Sequence, residues 1–398
     1  MISPDQIEGA PHPRDTPQLF GQDTAQQDFL EAYATGRLHH AWMLTGPRGI
    51  GKATFAWSIA RFLLATPPME DDGLFGAPEP PKTLAIDPEH PVARRIAASA
   101  EPGLKAITRT ENEKTGRLRD VISVEDIRGL AGFFQLSAAD GGRRVVIVDA
   151  ADDMNPQAAN ALLKMLEEPP ERATLLLISH QPSGLLPTIR SRCRVLRLAT
   201  LGSQDMAHAL AQAGTETVAD TAALAELSGG SVGAAVRLSV LGGLQTYAEL
   251  VRLIGSLPQF DRARALKLAE AAAARGGEEK RDLLFLLLDL LMARLARTGA
   301  TGAPPHIEAA PNEAETLLRL APTAASGRAW AEIAQETAAR ARHGLAVNLD
   351  PAAHVLDTHI KISKTRSASG AGTTDLAGRP EHRTNQNRQS LSTRISRL

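Results

Sequence analysis

A glycine-rich stretch, Gly46-Pro-Arg-Gly-Ile-Gly-Lys-Ala-Thr54, constrains the fold more than any other part of this 398-residue chain. The apolar run 41–44 before it is typical of a buried strand, and residues 55–64 after it are typical of a helix. Together, a strand, a glycine-rich turn and a helix N-terminus present backbone N–H groups and the positive end of the helix dipole to a phosphate. The spacing from Gly46 to Lys52 is that of a P-loop. The alternative is an ordinary glycine-rich turn, and the agreement of strand, spacing and helix favours the P-loop.

The stretch departs from the usual P-loop pattern at the residue that follows its lysine. A serine or threonine at that place reaches a bound Mg²⁺, but this chain has Ala53. Thr54 comes one residue later, about 100° further round the helix, and is not expected to fill the same role. The predicted phosphate site therefore lacks its metal-binding hydroxyl and consists of Gly46, Gly49, Gly51, Lys52 and Thr54.

The run 145–148 is the second anchor of the predicted fold, because its four β-branched residues end at Asp149. Such a run is typical of a central parallel strand, and it delivers the Asp149 carboxylate to the sheet edge where open α/β folds bind ligands. ATP hydrolysis also needs a carboxylate that polarises the attacking water. Ala150 stands where that carboxylate is expected, and Asp152 lies two residues further on, where we expect it to cap or to pair. With hydroxyl and carboxylate both replaced by alanine, the sequence predicts a nucleotide site without turnover.

The pattern of elements divides the chain into several predicted parts. Strands alternate with helices up to about residue 199, which predicts a doubly wound α/β P-loop domain with a parallel sheet over 15–199, interrupted by a proline-rich insertion over 66–91. Only helical patterns follow, and we expect a small helical lid over 200–243 and an all-helical collar, an oligomerisation domain, over 244–362. Residues 363–398 are polar and basic, which predicts a disordered tail that either contacts nucleic acid or is simply solvated.

The composition excludes several kinds of partner and cofactor. A formal net charge of −1 gives the whole molecule no field that attracts polyanions, so contact with nucleic acid would need a local patch. The single cysteine, Cys193, excludes an internal disulfide and a zinc site built from cysteines. The N-terminus lacks the features of a signal peptide, and no apolar run reaches the roughly 18 residues of a membrane helix. We therefore expect a soluble, cytoplasmic protein without a membrane partner.

Three further stretches carry a resemblance to a known family: Asp149-Ala-Ala-Asp152, Asn160-Ala-Leu-Leu-Lys-Met-Leu-Glu-Glu-Pro-Pro170 and Ser191-Arg-Cys193. Together with the P-loop, they resemble the clamp-loader branch of the AAA+ ATPases. Within that branch they resemble the delta-prime type of subunit of bacterial DNA polymerase III. The likeness runs from about residue 15 to 240, and from there to 362 it rests only on an all-helical pattern of suitable length.

The resemblance implies roles for two positions. It implies that Arg192 acts in trans as an arginine finger, which reaches the ATP site of the next subunit and stabilises the charge that develops on the γ-phosphate. We expect Arg190, Arg192 and Arg194 to cluster near the ligand-binding edge of the sheet, and a set of ordinary surface arginines is the alternative. Members that hydrolyse ATP carry an arginine in the lid where this chain has Gly233. The family's four-cysteine zinc module has no counterpart in residues 65–105, so no zinc is predicted.

The function implied by the resemblance is that of a stator subunit in a clamp loader. Such a chain would join motor (gamma/tau) and delta subunits in a hetero-pentamer, act on the sliding clamp indirectly, and meet primed DNA through the assembled complex. It would hold ATP or ADP, if at all, without turnover. An ATP-hydrolysing gamma/tau-type motor subunit is one alternative, against which Ala53, Ala150 and Gly233 count. A stand-alone P-loop nucleotide kinase is another, and it would need an intact magnesium ligand and acceptor-binding residues.

Overall fold

Five strands form one parallel sheet in the computed structural model, which describes residues 6–36, 38–66, 79–112, 115–135, 142–215, 220–274, 277–346 and 362. The strands are β1 (Ala41–Thr45), β2 (Leu104–Ile107), β3 (Arg144–Val148), β4 (Ala173–Ser179) and β5 (Arg194–Arg197). They pair in the order β2-β3-β4-β1-β5, and every pair is parallel. The predicted α/β fold with a parallel sheet is therefore confirmed.

Helices connect the strands and then make up the rest of the described chain. Those before β5 are α1 (Asp23–Ala34), α2 (Lys52–Ala65), α3 (Pro91–Ala97), α4 (Val124–Gln135), α5 (Pro156–Glu167) and α6 (Pro187–Arg190). Those after it are α7 (Ser203–Gln212), α8 (Thr221–Leu227), α9 (Val232–Val240), α10 (Gly243–Gly255), α11 (Arg262–Ala273), α12 (Glu278–Thr301), α13 (Glu313–Leu320) and α14 (Ala324–Ala346). The division at residues 199 and 243 stays a prediction. Residues 67–78 of the proline-rich insertion and the whole tail 363–398 lie outside the described residues.

The sheet is covered on both faces because successive side chains of a strand point to opposite sides. In β1, Trp42 and Leu44 join the core that includes buried residues of α1, α2 and α3. Ala41 and Met43 of the same strand join the opposite core, to which α4 and α5 contribute. All residues of β1, β3 and β4 are buried, as the continuous apolar runs of these strands predict.

Two helices begin where sequence signals place them. Asn155 caps α5, with its side-chain oxygen accepting from the Ala158 N–H at 2.8 Å, and Pro156 is the first helical residue. At the start of α4, the Ser123 hydroxyl and N–H both donate to the Asp126 carboxylate, at 2.7 and 2.9 Å. The polar contacts at these helix starts could therefore be inferred from short sequence patterns.

A buried ion-pair network joins α8 to α10, α12 and α13. Arg294 of α12 donates through Nε to Glu313 of α13 at 2.7 Å and through Nη1 to Glu226 of α8 at 2.6 Å. The Tyr247 hydroxyl of α10 donates to the same Glu313 carboxylate, and burial together with that carboxylate raises the pKa of Tyr247. Glu313 and Tyr247 have no exposed surface. The network connects four helices through one guanidinium and two carboxylates.

None of the described helices is long and apolar enough to span a membrane. Within the same residues, no group of three or more histidine, cysteine, aspartate or glutamate side chains is arranged to hold a metal ion.

Candidate nucleotide cleft and trans arginine

The P-loop connects the end of β1 to the start of α2, at the carboxyl edge of the sheet, where the strands finish. Gly49 and Gly51 have φ angles of 74° and 98°, which side-chain-bearing residues rarely adopt. Gly51 is the residue before α2, so the unpaired N–H groups of the first helical turn face the loop. This is the geometry of an anion cradle.

Lys52 closes the P-loop on itself. Its Nζ donates to the Gly46 carbonyl at 2.6 Å and to the Pro47 carbonyl. The side chain is buried, and this burial lowers the pKa of Lys52 to about 8, with Asp149 and then Asp152 opposing the change. The ammonium therefore lies inside the cradle, between loop carbonyls and the acidic strand ends.

The end of β4 completes this edge of the sheet. The Asp152 carboxylate accepts from the Ser179 hydroxyl at 2.7 Å and from the His180 N–H, which confirms the expectation that Asp152 pairs. His180 itself lines the cleft, and its Nδ1 is buried with no hydrogen-bond partner among the described residues. Burial, followed by the charges of Lys52 and Arg48, lowers the pKa of His180 to about 4. The histidine is therefore neutral at pH 7.

The first turn of α9 in the lid lies directly on the P-loop. The Gly233 N–H donates to the Gly49 carbonyl at 2.9 Å, and the Ser231 hydroxyl donates to the Arg48 carbonyl at 2.9 Å. A Cβ at Gly233 would overlap the Ile7 side chain and come within 3.1 Å of the Gly49 Cα. The position named from the resemblance thus adjoins the phosphate cradle, but it carries no cation.

These parts enclose a cleft of about 510 Å³. Of the predicted site residues, Gly49, Gly51, Lys52, Thr54 and Asp149 line it, and Gly46 meets it through the Lys52 ammonium. Residues of the N-terminal segment and of the lid form the remaining walls. The structure therefore brings the six predicted residues together, while their binding of a nucleotide stays a prediction.

Arg192 lies at the opposite, amino edge of the sheet. Strand β5 runs parallel to β1, with Arg194 opposite Trp42 and Arg197 opposite Thr45. Residues that precede β5 therefore lie where the strands begin, whereas the P-loop follows Thr45, roughly 13 Å away along a four-residue strand. The expectation that Arg190, Arg192 and Arg194 cluster near the ligand-binding edge is wrong, because a parallel strand must be entered from the amino edge.

The guanidinium of Arg192 is anchored within its own chain, with a long 3.5 Å contact from Nη1 to the Ser191 hydroxyl and two shorter ones. Its Nη1 donates to the Thr188 carbonyl at 3.0 Å, and its Nη2 pairs with a Glu167 carboxylate oxygen at 2.9 Å. The arginine side chain is 36% exposed, so solvent or another protein can reach it. Arg194 differs, since its guanidinium lies 4.9 Å from the centre of the buried Trp42 ring, while Arg190 is exposed.

Comparison with known proteins places this architecture in a family. A family model described as DNA polymerase III, delta subunit, matches residues 21–202. Subunit delta' of Pseudomonas aeruginosa is 37% identical over 219 residues, which cover 55% of this chain and 61% of that protein. Subunit delta' of Escherichia coli is 27% identical over 298 residues, which cover 75% of this chain and 82% of that protein. Residues 21–202 belong to the clamp-loader subunit family of DNA polymerase III.

The family contains more than one type of subunit, and this chain is similar to two of them. Subunit tau of Escherichia coli is 28% identical over 309 residues, which cover 70% of this chain and 45% of that protein. The chain thus spans 61% of the Pseudomonas relative and less than half of tau. Among solved structures, a gamma-subunit-related protein from Thermotoga maritima has a TM-score of 0.39 at 18% identity and covers 85% of this chain and 100% of its own.

The residues that line this cleft fit a polyphosphate better than they fit a hydrolytic metal. Lys52 and the N–H groups at the start of α2 are suited to phosphate oxygens. Ala53 and the buried Ala150 offer no oxygen to a cation, although both line the cleft. The residues present could hold phosphate groups, but Ala53 replaces the hydroxyl expected to bind Mg²⁺ and Ala150 replaces the carboxylate expected to activate water.

Several residues that line the cleft are not identified from the sequence, among them Ile7, His180 and Arg237. His180 could have been found, because it directly follows Ser179 at the end of a buried strand. Arg237 could also have been found, since it lies one helical turn after Gly233 and so shares its face of α9. Ile7 gives no local signal, because it reaches the lid only through tertiary packing.

Proposed function

We propose that this chain is a delta-prime-type stator subunit of a DNA polymerase III clamp loader, and that it acts through Arg192 without hydrolysing ATP. The observation that carries the proposal is the separation of Arg192 and the P-loop along the sheet. Arg192 lies at the amino edge and half-exposed, away from its own P-loop. An arginine in that place can serve the nucleotide of another subunit but not that of its own chain.

The state of its own cleft supports the same proposal. Hydrolysis in P-loop ATPases depends on a hydroxyl for Mg²⁺ and a residue that positions water. In this chain the corresponding places hold Ala53 and Ala150, and the lid offers Gly233. A gamma/tau-type motor subunit, the main alternative, would need all three functions restored. A stand-alone nucleotide kinase would need the same magnesium ligand.

A nucleotide held without turnover is a second part of the proposal. Gly46, Gly49, Gly51 and Lys52 would bind its phosphates, with Thr54 and Asp149 beside them. Because Lys52 donates to loop carbonyls and the lid lies on Gly49, we expect binding to be weak. Titration of a fluorescent ATP analogue against the isolated chain would measure it, and the same affinity in a Lys52→Ala variant would contradict the assignment.

The partners proposed for this chain follow from the family. They are motor (gamma/tau) and delta subunits in a hetero-pentamer, with the sliding clamp and primed DNA reached through the assembled complex in the cytoplasm. A net charge of −1 is consistent with DNA contact that depends on the assembly rather than on this chain alone.

The decisive experiment measures ATP turnover in the reconstituted complex. The chain is combined with motor and delta subunits, clamp and primed DNA, as wild type and as Arg192→Ala. An arginine finger contributes about 10³–10⁵-fold to turnover at the site it serves. We therefore expect Arg192→Ala to remove the contribution of the one ATP site that Arg192 serves from the total ATPase rate. Clamp loading should slow as a result.

Arg190→Ala is the matched control, because Arg190 is exposed two residues away. Its complex should load clamps at the wild-type rate. The isolated wild-type chain should show no ATPase activity. Robust activity of the isolated chain would contradict the stator assignment, and unchanged activity of the Arg192→Ala complex would contradict the trans role of the arginine.

A further inference from the structure

The ion pair between Arg192 and Glu167 suggests that a second residue controls the trans arginine. Both terminal nitrogens of the guanidinium are engaged within the chain, Nη1 by the Thr188 carbonyl and Nη2 by the Glu167 carboxylate. A phosphate from a neighbouring subunit that binds both terminal nitrogens must therefore displace these acceptors or share a nitrogen with them. Glu167 is the anionic acceptor, so it competes with phosphate for the same charge.

Glu167 is held in place by the element that carries it. It is the last residue of α5, which starts at the carboxyl edge after Asp149 and ends at the amino edge before β4. The preceding residue, Leu166, is buried, and its carbonyl bonds to the His40 ring at 3.0 Å. The carboxylate is thus presented from an anchored helix end rather than from a loop.

The strength of the pair suits an exchangeable contact. The Arg192 and Glu167 side chains are 36% and 49% exposed. Ion pairs of this exposure contribute little to the free energy of folding, because water and salt screen the attraction between the two charges. A triphosphate carries more charge than one carboxylate and offers several oxygens to a guanidinium, so it can replace Glu167. In the absence of that phosphate, the Glu167 carboxylate nevertheless fixes the position of the Arg192 guanidinium.

We propose that Glu167 is a positioning residue that holds Arg192 at the amino edge until the γ-phosphate of a neighbouring subunit takes its place. This inference rests on the proposed trans role of Arg192. Replacing the carboxylate by an amide removes the competing charge and preserves the shape of the side chain. The Glu167→Gln complex should then engage ATP at lower concentration.

The test measures the ATP concentration dependence of turnover in the full complex. The trans arginines of the motor subunits are replaced, so that only the site facing this chain turns over. We expect Glu167→Gln to lower the KM for ATP by about two- to fivefold, the range that exposed ion pairs cover, with kcat unchanged. The difference should shrink as salt is raised, because screening weakens the pair in the wild type.

Glu168→Gln is the matched control, since Glu168 is the adjacent exposed carboxylate, and its KM should equal that of the wild type. The double variant Glu167→Gln with Arg192→Ala should match Arg192→Ala alone, because the effect must act through the arginine. A KM for Glu167→Gln that is unchanged or raised would overturn the positioning role. If Arg192→Ala itself leaves turnover unchanged, the proposed function fails instead, so the two failures are distinguishable.

A merely structural role for Glu167 predicts a different result. In that case the thermal midpoint of the isolated Glu167→Gln chain would fall while the KM stayed at the wild-type value. We expect a nearly unchanged thermal midpoint and a lower KM, since an exposed ion pair contributes less than about 1 kcal/mol to folding.

Discussion

His180 shows how much the surroundings of one residue can change its chemistry. It follows the buried strand β4, lines the cleft, and lies close enough to Lys52 and Arg48 for both cations to affect it. Desolvation and these like charges act in the same direction, and they hold its pKa at about 4 instead of 6.5. A phosphate in the cradle would counter the two cations and favour the protonated ring.

This lowered pKa predicts an acid-dependent loss of stability. As pH falls below 6.5, the unfolded chain protonates His180 while the folded chain does not until about pH 4. Stability is therefore lost between these two values, because the unfolded state binds more protons. A His180→Gln variant should lose less stability across pH 6.5 to 4 than the wild type does.

Urea midpoints measured at intervals across that range would test the prediction. His306→Gln is the control, since His306 is exposed and far along the chain in the collar. Parallel pH curves for wild type and His180→Gln would contradict the assigned environment. A histidine NMR titration offers a direct check, because Lys52→Met should raise the pKa of His180.

At the scale of elements, α5 links the two edges of the sheet. It begins beside the acidic strand ends of the cleft and finishes at Glu167, which contacts Arg192. Its start is fixed by Asn155 and Pro156, and its buried face by Ala158, Ala159, Leu162 and Leu166. The helix therefore sets the position of Glu167 relative to the strands.

Removing the cap of α5 should weaken the domain measurably. Asn155→Ala leaves the Ala158 N–H without its side-chain acceptor, and such changes cost about 0.5–2 kcal/mol. Chemical denaturation followed by circular dichroism would measure the loss. Gln157→Ala serves as the control, because Gln157 is exposed on the same helix turn and should change stability by less than about 0.5 kcal/mol. Equal losses in the two variants would argue against the cap.

Local patterns were sufficient to predict most elements of the α/β part. Consecutive β-branched residues predicted β3, and Asn155 with Pro156 predicted the start of α5. Such signals involve only a few neighbouring residues, so they can be recognised without knowledge of the fold.

Features that depend on the order of strands could not be predicted in the same way. The position of β5 beside β1 is such a feature, because no short pattern specifies it. The edge on which Arg192 lies, by contrast, could have been inferred from the predicted parallel sheet, since each of its strands begins at the amino edge. The contact of Ile7 with the lid joins residues more than two hundred positions apart. The resemblance identified the position of Gly233. The hydrogen bond from its N–H to the Gly49 carbonyl could not be predicted, because it joins residues far apart in the chain.

At the scale of the whole molecule, the Arg294 network links the predicted lid to the predicted collar. Arg294 contacts Glu226 of the lid and Glu313 of the collar. The fully buried Glu313 carboxylate also accepts from the Ala309 N–H at 2.6 Å. Removing one partner of a buried ion pair leaves an uncompensated charge, which is far more costly than losing a surface pair.

Arg294→Met should therefore destabilise the chain strongly. The expected loss is about 3 kcal/mol, the lower end of the range for broken buried pairs, because Tyr247 and Ala309 still donate to Glu313. Urea unfolding monitored by fluorescence and by circular dichroism would measure it. Arg297→Met is the control, since Arg297 is exposed one turn further along α12. A loss no larger than that of the control would show that the network carries little stability.

The placement of cradle and arginine at opposite edges of one sheet also has a consequence for symmetry. Two copies related by a twofold axis would meet through the same surface, so an arginine could not face a cradle unless both lay on that surface. Edges that differ in this way favour head-to-tail contacts, which close into a ring or continue as a filament. If the arginine acts in trans as proposed, such a subunit would have a direction, and only its arginine-bearing edge would take part in the chemistry. Placed once in a ring of otherwise similar subunits, it would mark a unique position around the circle.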